Sequence, residues 1–115
     1  KFPVHSSKIC MHEFVISCEK IKKEIGVSAL DFAKAMIDRG MHPPTIYFPL
    51  IVHEALMFEP TESESVESLD RFVEAFFRIL DMAEDDPETL KDAPHRTPVG
   101  RLDEVRAVKE PDVRY

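Results

Sequence analysis

An α+β fold, with a small mostly antiparallel sheet covered on one face by helices, is the architecture this sequence predicts. Three observations carry it. Short runs at 12–17, 45–48 and 54–58, rich in aromatic and aliphatic residues, have the length and composition of strands, and residues 12–17 can set Phe14 and Ile16 on one buried side. Two segments instead repeat apolar residues every three or four positions, the spacing of a helix with one buried stripe. The connection 49–53 is too short for a helical crossover, so the last two strands are expected to be antiparallel neighbours.

In chain order, residues 1–10 read as a linker or lead-in strand. Residues 12–17 form the first strand, with Phe14 and Ile16 on one side and Glu13, Val15 and Ser17 on the other. The stretch 18–26 is too charged to pack deeply. Ser28-Ala29-Leu30-Asp31 has the capping-box form, and Leu30, Ala33 and Ile37 keep helical spacing. Arg39 then suits the last turn and Gly40 the left-handed C-cap, so both ends of that helix are written. After the two middle strands, Val66, Leu69, Val73, Phe76 and Leu80 give the strongest amphipathic helix, widened by Phe72 and Phe77. Asp85-Asp86-Pro87 stops it, and Pro87 can open a short helix through Leu90. Residues 93–100 are a loop. Leu102, Val105 and Val108 share one face of a final helical turn or two, expected to dock on the body before a tail over 111–115. The expected organisation is one domain over residues 11–110.

At 115 residues the chain suffices for a single core. A net charge of −7 argues against nucleic acid, whose backbone is bound by clustered Lys and Arg. The longest apolar run, near 47–52, falls far below a membrane span, and no apolar secretory stretch is present, so a cytoplasmic setting is expected. Two cysteines, Cys10 and Cys18, make no disulfide framework. His5, His12 and Cys10 combine into a soft ligand set only on paper, and no metal site is expected.

The words His42-Pro43-Pro44-Thr45-Ile46-Tyr47-Phe48-Pro49 and Glu59-Pro60-Thr61-Glu62-Ser63-Glu64 set polar side chains among prolines where apolar runs begin and end. Proline fixes the backbone beside His42, Thr45, Glu59 and Thr61, the mark of a shaped site. An imidazole after a helix stop can be aimed into a cleft, or can merely meet the last helix carbonyls. Thr45 is a stiff positioning group or simply a strand residue. Thr61 is expected to cap the long helix, with a share in lining the site, and Glu62 and Glu64 to complement its positive end. His12 and Glu13, adjacent at a strand head, are expected on opposite faces. His95 and Arg96 form a loop pair suited to an anion such as a carboxylate.

Read with Met11-His12-Glu13-Phe14, these words resemble the C-terminal part of decarboxylating glycine dehydrogenases, the P-protein of the glycine cleavage system, over about Met11 to Arg106. The tail from Leu102-Asp103-Glu104-Val105 to Tyr115 looks like the second subunit of the two-subunit form. The resemblance implies the C-terminal small domain of a fold-type I pyridoxal-phosphate enzyme. Such an enzyme decarboxylates glycine and passes the aminomethyl group to the lipoyl arm of the H-protein. The implied partners are an upstream large domain, P-protein subunit 1, the H-protein and glycine. Met41 stands where the family pattern has an aromatic, and His53 where it has an acid.

Under that resemblance His42, Pro44, Thr45, Glu59, Thr61, Glu62, His95 and Arg96 are the candidates for lining the active site, and none is expected to be catalytic. The Schiff-base lysine and the phosphate cradle are expected upstream: the lysines here lie in charged, helix-surface or loop contexts, and the only glycines are Gly26, Gly40 and Gly100. No cofactor is expected on this chain alone, which would close the site without catalysing. The alternative is a free-standing acidic interaction module without activity.

Overall fold

The structure, a computed structural model, describes residues 8–114. The lead-in expected at 1–10 therefore falls mostly outside the described residues, as do His5 and Tyr115. The elements run β1 (Phe14–Ser17), α1 (Glu19–Ile25), α2 (Ala29–Asp38), β2 (Thr45–Ile46), β3 (Ala55–Phe58), α3 (Val66–Asp85), α4 (Pro87–Lys91) and α5 (Glu104–Lys109). The three strands form an antiparallel sheet in the order β1-β3-β2. This is the α+β class expected. β3 is central, and it is the most buried strand, with Ala55, Leu56 and Phe58 all inside.

Each helix end has a chemical cause. Ser28 and Asp31 form the expected capping box: the Ser28 N–H donates to Asp31 Oδ2 at 2.8 Å, and the Asp31 N–H donates to Ser28 Oγ at 3.3 Å. Gly40, at φ 70°, closes α2 with two bonds, Met41 N–H to Met36 O at 3.0 Å and Gly40 N–H to Ile37 O at 2.9 Å. The buried stripe of α2 is rotated from the expected one: Ala29, Phe32, Ala33, Ala35 and Met36 are inside, while Leu30 and Ile37 are half-buried. The charged stretch 18–26 is helical as α1, closed by Gly26 at φ 82° and braced by the Lys23–Glu19 ion pair at 2.6 Å, yet it buries no residue.

Three expectations are corrected. The strand expected over 45–48 ends at Ile46, because Tyr47 adopts φ 58° and turns the chain out of the sheet, and Pro49 has no N–H to extend the ladder. The strand expected from residue 54 begins at Ala55: Glu54 is at φ 50°, and its carboxylate accepts from the Ala29 N–H at 2.8 Å and Lys22 Nζ at 2.9 Å. The face of α5 does not dock on the body; Leu102, Val105 and Val108 are 59%, 64% and 81% exposed. Its contacts are local, an Asp103 cap on the Arg106 N–H and an Arg106–Glu110 pair.

The core joins Ile16, Phe32, Met36, Leu56, Phe58, Phe76, Ile79 and Leu90 from sheet and helices. Of the stripe expected on α3, Phe76 enters it, as do the neighbouring Ile79 and Ala83, and Leu80 packs against it. Val66, Leu69, Val73 and Phe77 remain exposed, so the first half of α3 overhangs the core. Beyond it, Arg101 ties the C-terminal segment down, donating to Asp31 Oδ1 at 2.6 Å and to the carbonyls of Lys91 and Ala93 at 3.1 Å.

Candidate functional site

The overhang creates a groove of about 760 Å³ between α3, the open end of the sheet and the loop after α2. Its floor is aromatic. β1 and β3 pair Phe14 with Phe58, whose rings stack at 5.1 Å, and Phe72 of α3 meets Phe58 edge-on at 5.3 Å. Met41, Met57, Leu69 and Val73 extend the apolar surface.

The rim is polar and comes from the two proline-bounded words. The closure of α2 at Gly40 delivers His42, and Pro43-Pro44 leads straight into Thr45, opposite Met57 in the sheet register. On the other side β3 ends and Glu59-Pro60-Thr61 turns toward α3, with the Glu64 N–H donating to Thr61 O at 3.1 Å. His42, Pro44, Thr45, Glu59 and Thr61 thus line one groove. The last carbonyls of α2 accept from backbone N–H groups of 39–41, which leaves His42 exposed on the rim rather than capping the helix.

The other named residues are placed differently. Glu62 is exposed and does not line the groove. His95 and Arg96 do not line the groove but a cleft beside the C-terminus of α2: their N–H groups both donate to the Asp38 carboxylate, at 2.8 and 2.7 Å. Thr61 does not cap α3; Ser65 does, accepting from the Ser68 N–H at 3.1 Å, while Thr61 Oγ1 bonds Ser63 Oγ at 2.8 Å. His12 and Glu13 are not opposed across a strand, because β1 starts only at Phe14, and they approach to 3.8 Å.

Several groove residues went unnoticed in the sequence. Phe14, Phe58 and Phe72 read there only as strand and helix core, Glu64 only as a complement to the positive end of the long helix, and Ser68, whose Oγ donates to Glu64 Oε2 at 2.6 Å, carried no reading. The overhanging valine and leucine positions of α3 carried the only signal, an apolar stripe longer than one small sheet can cover. Nearby, the Glu67 carboxyl is held below its usual range, first by a backbone N–H and then by the Ser65 hydroxyl.

Among the described residues His12, Glu13 and Glu59 offer ligand atoms within 4.8 Å of one another, all exposed. Exposed carboxylates commonly gather without an ion, and the trio carries no metal assignment. Nor do the groove residues suit pyridoxal phosphate: the charged side chains are Glu59 and Glu64, beside His42, and no lysine or arginine lines the groove to form an imine or pair with a phosphate. Among the described residues no helix is long and apolar enough to cross a membrane.

Residues 2–95 match the family model described as glycine dehydrogenase, C-terminal domain. The chain is 56% identical over all 115 residues to a probable glycine dehydrogenase (decarboxylating) subunit 2 of Treponema denticola, covering 24% of that protein. It is 58% identical over 107 residues, 93% of its length, to the subunit 2 of Kosmotoga olearia, covering 22% of it. A third relative, from Thermococcus gammatolerans, is 54% identical over 114 residues. The chain therefore spans about a quarter of the length of the curated relatives it matches. With the family model covering most of the chain and relatives this similar along nearly all of it, the chain belongs to the family of glycine dehydrogenase C-terminal domains.

Proposed function

We propose that this chain, acting as one domain over residues 11–110, forms a wall of the active site of a decarboxylating glycine dehydrogenase. The observation that carries the reading is the convergence of His42, Thr45, Glu59 and Thr61, from two separate proline-stiffened words, on one aromatic-floored groove. A wall of this kind supplies shape, exclusion of water and a few oriented polar groups. An apolar floor lowers the solvation of a substrate carboxylate, which favours its loss as carbon dioxide. Pyridoxal phosphate, the cofactor that the resemblance implies, belongs in this reading to the remaining three quarters of the polypeptide, since nothing on the groove suits it. The aminomethyl product would pass to a lipoyl-bearing H-protein, and subunit 1 would complete the enzyme; support for subunit 1 is the name of the relatives as subunit 2.

The test uses the full-length subunit together with its subunit 1 partner. His42→Ala is expected to lower release of labelled carbon dioxide from carboxyl-labelled glycine by about tenfold or more, within the range of a positioned polar group at a reacting centre. The thermal midpoint should stay close to the parent's, because His42 is exposed and bonds no core group. Unchanged turnover would remove His42 from the site. The 115-residue chain alone is expected to release none.

A further inference from the structure

The geometry points to a second site, a small oxyanion pocket built by Arg39, Arg96 and His95, with phosphate or a carboxylate as the class of ligand. It is separate from the groove and does not depend on the function proposed for it. The pocket is a cleft of about 130 Å³ between the end of α2, Met82 of α3 and the loop after α4, with Ala35 and Ala93 as its apolar sides. A cleft of this size admits one small oxyanion.

Arg39 and Arg96 line the same cleft, and neither is ion-paired to a carboxylate. Among the described residues neither Arg39 nor Arg96 has an acidic side chain within ion-pair distance, in a chain with 22 acidic residues against 15 lysines and arginines. Arg39 Nη2 points at the thioether of Met82, 2.9 Å away, a weak acceptor, and Arg96 Nη1 reaches the Asp38 carbonyl at 3.4 Å. The acid in the cleft, Asp38, is already engaged. Its Oδ1 and Oδ2 both accept from the His95 N–H at 2.8 Å, and Oδ1 also accepts from the Arg96 N–H at 2.7 Å. Asp38 thus fixes the loop that presents Arg96 and leaves a net positive cleft. His95 is oriented in turn, its Nε2 lying 2.9 Å from the Thr89 carbonyl. A guanidinium group has the fork geometry that planar carboxylates and phosphate oxygens accept.

The experiment titrates the 115-residue chain with inorganic phosphate, and separately with acetate, at constant ionic strength, following heat and the Nε–Hε resonances of arginine. One saturable site is expected, with an affinity near 1 mM for a small ion held by two guanidinium groups. Arg39→Gln and Arg96→Gln should each weaken it about tenfold, the loss of one charged hydrogen-bonding partner. Arg96→Lys should recover part of the loss, with circular dichroism unchanged in every variant. Saturation by phosphate alone assigns a phosphate ligand, and saturation by both a general oxyanion site. The proposal is overturned if neither anion saturates, or if Arg39→Gln/Arg96→Gln binds as the parent does.

Discussion

Replacing Asp31 with alanine tests how the two ends of the chain are held together. This one carboxylate accepts from the Ser28 N–H at 2.8 Å and the Ser28 hydroxyl at 2.6 Å, and from Arg101, 70 residues away, at 2.6 Å. Loss of the helix cap costs about 1 kcal/mol. Loss of the charge-assisted bond adds about 2 kcal/mol, at the lower part of its range because Arg101 stays 32% exposed and can turn to water. Asp31→Ala is therefore expected to destabilise by about 3 kcal/mol and to lower Tm by about 12 °C, at roughly 4 °C per kcal/mol for a domain of this size. Urea unfolding followed by circular dichroism, on the parent, Asp31→Ala, Arg101→Met and the double variant, gives the coupling directly. A coupling of about 1–2 kcal/mol is expected, since the residues share one bond. Strict additivity, or a cost for Asp31→Ala no larger than that of Ser28→Ala, would refute the staple.

Other outcomes follow from the same geometry. Cys18 is fully buried, and burial, reinforced by the Glu54 charge, pushes its thiol up to about 12 from 9.0. A raised thiol pKa keeps the proton on the folded chain while the unfolded chain loses it, so this stability is intact below about pH 9 and declines as pH rises toward 12, by about 1.4 kcal/mol per unit. Comparing urea midpoints at pH 8 and 10.5 should show a steeper decline for the parent than for Cys18→Ala; parallel declines would contradict it. In a thiol-labelling assay Cys10, which is exposed, should react in the native chain and Cys18 only after unfolding. Gly40→Ala places a Cβ in open space but forces a left-handed φ of 70°, so it should cost about 1–2 kcal/mol in denaturant unfolding. Gly100→Ala, whose backbone has no such φ, is the control and should cost less.

Local signals were legible in the sequence wherever the cause was local. The capping box at Ser28, the left-handed closure at Gly40, the stop at Asp86-Pro87 and the period of α3 each rest on residues within one turn, and each is where spacing placed it. The convergence of His42 with Thr45 was readable for the same reason, since Pro43 and Pro44 leave the backbone between them little freedom. The meeting of Glu59 and Thr61 with them rests on a proline-bounded word whose position relative to the first is set by one short strand pair.

What the sequence could not decide depended on which surfaces found partners. Periodicity marked Val66, Val73, Val105 and Val108 as apolar, but it cannot say whether a stripe is covered, and here α3 overhangs while α5 stands away from the body. His95 and Arg96 looked like part of the groove until the loop carrying them was tied to Asp38, across a separation of 57 residues. The sequence by itself determined the presence of three short strands, both ends of α2, the stop of α3 and the family, because each is written in neighbouring residues. Only the tertiary structure decided the aromatic floor, the Asp31–Arg101 staple and the placement of His95 and Arg96 in a cleft apart from the groove, because contacts between distant residues depend on how the elements pack, and no local spacing encodes that.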